Sequence, residues 1–125
     1  MNPPAPGTII TIILFAFIIL SGIWLTKSGR PLNTVLFSIH KILAIIAIIL
    51  TVITIYHLQK GIDLRNPELI LILATGVFFL LELVSGALLS FDSLVNETVL
   101  TIHKITPSLI VISTVLTIYF LIQAV

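Results

Sequence analysis

Two histidines stand in the same local setting, 63 residues apart: Ile39-His40-Lys41-Ile42 and Ile102-His103-Lys104-Ile105. An imidazole can ligate a metal, carry a proton or tie chain segments by hydrogen bonds. A matched pair suggests one shared task, and the chemistry that takes two imidazoles from opposite sides is axial ligation of a haem iron. Glu82 is the one carboxylate set well inside an apolar stretch, where ionisable residues are rare and usually functional. It precedes Gly86 by four residues, so the two share a helix face. Its candidate roles are a proton acceptor, a hydrogen-bond partner for the second ring nitrogen of a ligand histidine, or an ion-pair mate of Lys41 or Lys104. Cysteine is absent, which excludes disulfides, thiolate-bound metal, iron–sulfur clusters and thiol catalysis. Zinc is disfavoured, because Glu82 is the only candidate for a further ligand at that depth.

The elements that must position these residues are apolar helices. Of the 125 residues, 58% are hydrophobic and 9% charged, with a mean hydropathy of +1.28, whereas a soluble domain carries about 25% charged residues. A chain this apolar needs lipid as its solvent. The net charge of +1, with no basic arm, gives no footprint for nucleic acid. Four apolar segments, at about 8–26, 34–58, 67–90 and 97–124, each reach the roughly 20 residues that cross a bilayer as a helix. The first lacks the basic flank and small-x-small cleavage site of a removed signal peptide, and reads as a span. Asn33 and Asn96 are candidate N-caps, and Pro67-Glu68 suits a first turn. Short connections favour an antiparallel arrangement. The expected fold is therefore an all-α membrane protein, an up-down-up-down four-transmembrane-helix bundle. It forms one domain over residues 1–125, with a flexible N-terminus at 1–7.

The two halves repeat one another. At a spacing of 63, Asn33 meets Asn96, His40-Lys41 meets His103-Lys104, and Thr51-Val52-Ile53-Thr54-Ile55-Tyr56 meets Thr114-Val115-Leu116-Thr117-Ile118-Tyr119. At a spacing of 64, Ser21-Gly22 meets Ser85-Gly86, Phe15 meets Phe79 and Thr11 meets Thr75. This pattern predicts a duplicated helical hairpin with a pseudo-two-fold axis along the membrane normal. His40 and His103 each lie about seven residues into a helix, or roughly 10 Å below one surface at about 1.5 Å per residue. In a sequential four-helix ring the second and fourth helices face each other diagonally, so both rings would reach one iron atom. Gly22 and Gly86 lie at a similar depth and let a flat ring or a neighbouring helix approach the backbone.

This layout resembles the haem-bearing four-helix core of b-type membrane cytochromes, such as cytochrome b of respiratory complexes and the smaller cytochrome b subunits of membrane oxidoreductases. In those families histidines on the second and fourth helices ligate haem, and glycines on the first and third accommodate it. The matching residues here are His40 and His103, with Gly22 and Gly86. Dihaem members carry a second histidine about four turns further along each ligand helix. Those positions hold Ile53 or Thr54 and Leu116 or Thr117 here, so the resemblance implies a single haem b near the hairpin loops.

Lys41 and Lys104 follow the histidines and point off the ligand face. They are candidates for haem propionates or for lipid phosphates, and Arg30 is a further propionate candidate. His57 lies off the haem-facing stripe and reads as interfacial, as do Trp24, Tyr56 and Tyr119. Pro107 withdraws the amide that would bond the His103 carbonyl, so a local bend is expected. Thr51 and Thr114 are expected to make interhelical or backbone hydrogen bonds.

The leading functional expectation is single-electron transfer by a bis-histidine haem b, an electron carrier rather than a stand-alone enzyme. The expected exchange partners are a quinol pool and a redox partner protein. The chain would sit in a cell inner or plasma membrane as a homo-dimer or as a subunit of a larger complex. Two alternatives stay open: a non-haem membrane subunit or assembly partner whose histidines tie helices, and a proton-coupled transporter using Glu82. The basic residues lean only slightly toward cytoplasmic hairpin loops.

Overall fold

The structure is a computed structural model that describes residues 6–125. The expected flexible lead-in therefore lies, for residues 1–5, outside the described residues. Four helices form: α1 (Pro6–Ser28), α2 (Thr34–Gln59), α3 (Asn66–Leu89) and α4 (Glu97–Ala124). Each is long and apolar enough to cross a membrane, and among the described residues there is no strand. The all-α class with four membrane-length helices is thus as the hydropathy pattern predicts.

The helix ends follow local chemistry. α1 starts at Pro6, so Pro6 and Gly7 are helical rather than part of the lead-in. Proline is tolerated there because the first-turn amides have no helical acceptor in any case. Gly29 follows α1 at φ +69° and Gly61 follows α2 at φ +85°. Both take the left-handed conformation that closes a helix and costs any other residue energy. Asn33 Oδ1 accepts the Leu36 amide at 3.0 Å, and Asn96 Oδ1 accepts the Val99 amide at 2.9 Å, so both predicted caps form. At α3 the Arg65 amide donates to Glu68 Oε2 at 3.0 Å. Between α3 and α4 a single 3-10 turn, Asp92–Leu94, occupies the expected loop.

The chain divides into two compact units, Met1–Tyr56 and His57–Val125. In the first, α1 and α2 meet where Ser21 touches His40. In the second, α3 and α4 pack as an antiparallel pair. Thr75 meets Thr117 and, further along α3 but earlier in α4, Ser85 meets His103. Besides Leu25, Phe79, Leu89, Ile110 and Leu121, these helices bury many small polar residues: Thr11, Ser21, Thr51, Thr75, Ser85, Thr106, Ser113, Thr114 and Thr117. What they expose is large and apolar, for example Ile12, Leu20, Val35, Ile70, Leu73 and Leu80. That inversion suits lipid, where apolar surface gains nothing by association and small residues let backbones approach.

The duplication extends to side-chain hydrogen bonds. Thr11 and its repeat mate Thr75 donate to the carbonyls of Gly7 and Leu71, each at 2.8 Å. Thr26 and Ser90 donate to Gly22 and Gly86, each at 3.0 Å. Thr54 and Thr117 donate to Leu50 and Ser113 at 2.8 and 2.7 Å. Each hydroxyl satisfies itself on its own helix, which removes an unpaired polar group from the hydrocarbon. The Thr75 and Thr117 oxygens also lie 3.1 Å apart across the α3–α4 seam. A double-mutant cycle of Thr75→Val and Thr117→Val, read by unfolding in mixed micelles, should give a coupling of about 0.6 kcal/mol. Strict additivity would show that the contact contributes nothing.

Candidate functional site

Each hairpin carries one copy of a small polar cassette. His40 is the seventh residue of α2 and His103 the seventh of α4, so the Asn caps fix both rings at the same distance into their helices. In the first hairpin Ser21 Oγ lies 2.8 Å from His40 Nδ1. In the second, Ser85 Oγ lies 3.1 Å from His103 Nδ1.

The serines also bear on which nitrogen carries the proton. Ser21 Oγ lies 2.9 Å from the Ile18 carbonyl, and Ser85 Oγ lies 3.1 Å from the Glu82 carbonyl. A hydroxyl has one proton, and with it on a backbone carbonyl the oxygen can only accept. With the serine proton turned to the ring Nδ1 accepts, and with it on the carbonyl His40 and His103 donate from Nδ1. This tautomer places the imidazole lone pair on Nε2, the form in which histidine ligates a metal.

The glycines seat the rings. A Cβ on Gly22 would lie 3.2 Å from His40 Cε1, and one on Gly86 would lie 3.1 Å from His103 Cε1. The space that the sequence assigned to a flat ring or a neighbouring helix is, within each hairpin, taken by the hairpin's own imidazole.

Glu82 makes the second copy different. Its Oε1 lies 3.2 Å from His103 Nδ1, at ion-pair distance. Its Oε2 is buried with no partner. The repeat mate, Ile18, has no polar atom to offer. The His103 side chain keeps 22% of its surface exposed, and His40 is likewise half-buried. Among the described residues, no three His, Cys, Asp or Glu side chains cluster around a potential metal position; axial ligation requires only two imidazoles.

The remaining candidates lie apart from the cassettes. Lys41 and Lys104 are exposed, and Lys41 Nζ sits 4.4 Å from the centre of the Phe37 ring. Arg30 and His57 are exposed as well. α4 runs on through Pro107, which has no amide for the His103 carbonyl. Thr51 donates to Ala47 at 2.8 Å as expected. Its mate Thr114 departs from expectation, its hydroxyl being buried without a partner. The reason is competition: Ser113, where the first half has Leu50, already donates to the Ile110 carbonyl at 3.2 Å.

Sequence reasoning gave Ser21 and Ser85 no role, although they orient the imidazoles. The signal was present, since Ser-Gly recurs at the same spacing as the rest of the first and third helices.

With its four spans, the chain is an integral membrane protein. No family model, curated protein or solved structure matches it.

Alanine substitutions test the seating of the rings. Gly76 is helical with nothing near its missing Cβ, so Gly76→Ala should stabilise by about 0.5–1 kcal/mol. Gly22→Ala and Gly86→Ala should instead destabilise by about 1–3 kcal/mol, because the imidazole must shift. Unfolding in mixed micelles reads all three, and equal effects would show that the glycines seat nothing.

Proposed function

We propose that the chain is a b-type membrane cytochrome in which His40 and His103 are the axial ligands of one haem b. The observation that carries this reading is the repeated cassette, in which a serine hydroxyl lies at hydrogen-bond distance from Nδ1 of each histidine; with Nδ1 donating to it, Nε2 would be the ligating nitrogen. The residues present fit such a group in donor chemistry, in number and in the partial exposure of both rings.

A haem held by two imidazoles supplies a one-electron couple with no axial position for oxygen, which makes the function electron transfer. The protein's own contribution is placement. Ser21 and Ser85 hold the rings in one tautomer, Gly22 and Gly86 let them lie against the backbone, and the apolar helices around them exclude water. Lys41, Lys104 and Arg30 are the cations for propionates. Electrons would pass between a quinol pool and a partner protein in a cell inner or plasma membrane, the chain acting as a homo-dimer or as a subunit of a larger complex.

A second reading has its own support. The same Ser–His hydrogen bonds tie α1 to α2 and α3 to α4 without any cofactor, as in a non-haem structural or assembly subunit.

Absorbance spectroscopy separates the two. Protein purified from haem-replete cells should be red, with about one haem per chain and a Soret band that shifts and sharpens on reduction by dithionite. His40→Ala and His103→Ala should each abolish that band, whereas His57→Ala should retain it. Colourless wild-type protein, or a band that survives loss of either ligand, refutes the cytochrome.

A further inference from the structure

The first hairpin carries a cleft of about 530 Å3 between the last turns of α1 and the first turns of α2. Ser28 and Asn33 line it at the helix ends, and Trp24, Val35, Leu36 and Ile39 line it further in. Ile39 is five residues beyond the start of α2, or about 8 Å into the helix at about 1.5 Å per residue. The cleft therefore grades from polar at the level of the loop to hydrocarbon below it. A membrane interface grades in the same direction.

Charge gives the cleft a sign. Lys27, Arg30 and Lys41 are the formal charges of residues 6–56, and no aspartate or glutamate stands among them. Lys27 lies in the last turn of α1, exposed and three residues past Trp24, so the two share a side of the helix. Asn33 gives its side-chain oxygen to the Leu36 amide, and its NH2 group is what it can offer an anion. The repeat supplies a comparison. At the spacing of 64, Trp24, Lys27 and Ser28 meet Leu88, Phe91 and Asp92. The second hairpin thus has hydrocarbon in place of the indole and the ammonium, and a carboxylate in place of the hydroxyl.

We propose that this cleft binds one anionic phospholipid, its phosphate held by Lys27 and the Ser28–Asn33 rim and its upper acyl chain laid against Trp24, Leu36 and Ile39. A phosphate accepts hydrogen bonds from an ammonium, a hydroxyl and an amide alike. Phosphatidylcholine carries a cationic choline as well, and the first hairpin has no carboxylate to receive it. The bilayer supplies the anionic lipid at the depth of the cleft, where a lysine attracts it. The haem reading makes no use of Lys27, and the lipid site is independent of it.

Trp24 is the only tryptophan of the chain, so its fluorescence reports the occupant. The full chain, free of haem, is reconstituted in vesicles of phosphatidylcholine and phosphatidylglycerol, with quenching bromines on the acyl chains of one lipid or the other. Brominated phosphatidylglycerol should quench as if bound about fivefold more tightly than brominated phosphatidylcholine. Lys27→Gln should abolish this preference and Lys27→Arg should retain it. Ser28→Asp, which installs the residue of the second hairpin, should abolish it too. Lys104→Gln removes the same charge from the second hairpin and should leave it intact. Equal quenching of the wild type by the two lipids overturns the proposal. Equal losses from Lys27→Gln and Lys104→Gln mean a diffuse attraction and also overturn it. Relief of quenching by soluble glycerol phosphate means an anion site without a lipid, which overturns it as well.

Discussion

The serine hydroxyl beneath each histidine has one proton and two neighbours that want it. The backbone carbonyl three residues earlier lies 2.9 Å from Ser21 Oγ and 3.1 Å from Ser85 Oγ. Where the carbonyl takes the proton, the oxygen is left as an acceptor and the imidazole facing it supplies the proton. The tautomer and the ring orientation hang on this one competition. In water the constraint would be weak, because solvent could satisfy either partner. Inside an apolar span the alternative is an unpaired polar group, so the arrangement holds.

The same physics explains why threonines and serines make up so much of the interior, beside a few leucines and other apolar side chains. Lipid tails are as apolar as leucine, so burying large side chains between helices brings no solvation gain. Close backbone approach and self-satisfied hydroxyls do contribute. Thr51, Thr75, Thr106 and Thr117 each return their proton to a carbonyl four residues back. Thr75 and Thr117 also meet at 3.1 Å across the seam, where one of them gives its proton to the other in place of its own carbonyl. The cassette is a variant of this habit in which the shared oxygen meets a histidine instead of a second hydroxyl.

Much of this was legible in the sequence. The four spans, the Asn33 and Asn96 caps and the duplicated hairpin follow from hydropathy, capping chemistry and repeat spacing, and the two histidines stood out as a pair. What was not legible came from competition for atoms. Nothing in one dimension says that the Gly22 gap is filled by His40 rather than by another body, because only the crossing of α1 over α2 brings them together. Nor does it say that Ser113 would take the carbonyl that Thr114 needed. α1 takes in Pro6 and Gly7, because proline and glycine are disfavoured within a helix but tolerated in its first turn. Ser21 and Ser85 were passed over because serine in an apolar helix usually reads as a packing residue. Their role required knowing where their single proton goes.

The departures from the repeat point the same way. Glu82, Pro107 and Ser113 stand where the first half has Ile18, Ala44 and Leu50. Each replaces a side chain or amide that satisfies itself with one that creates an obligation: a carboxylate in lipid, a carbonyl without its amide, a hydroxyl that displaces another. Such obligations are costly in a membrane span, and two stay unmet, at the Thr114 hydroxyl and Glu82 Oε2. All three fall in the second hairpin, and Glu82 lies beside His103, while Pro107 has no amide to offer that same residue's carbonyl. The first hairpin keeps the plain form of the cassette, a serine, a glycine and a ring. The second keeps that form and adds polar groups around it. The added groups give the second imidazole a more polar surrounding than the first, on the same serine and glycine frame.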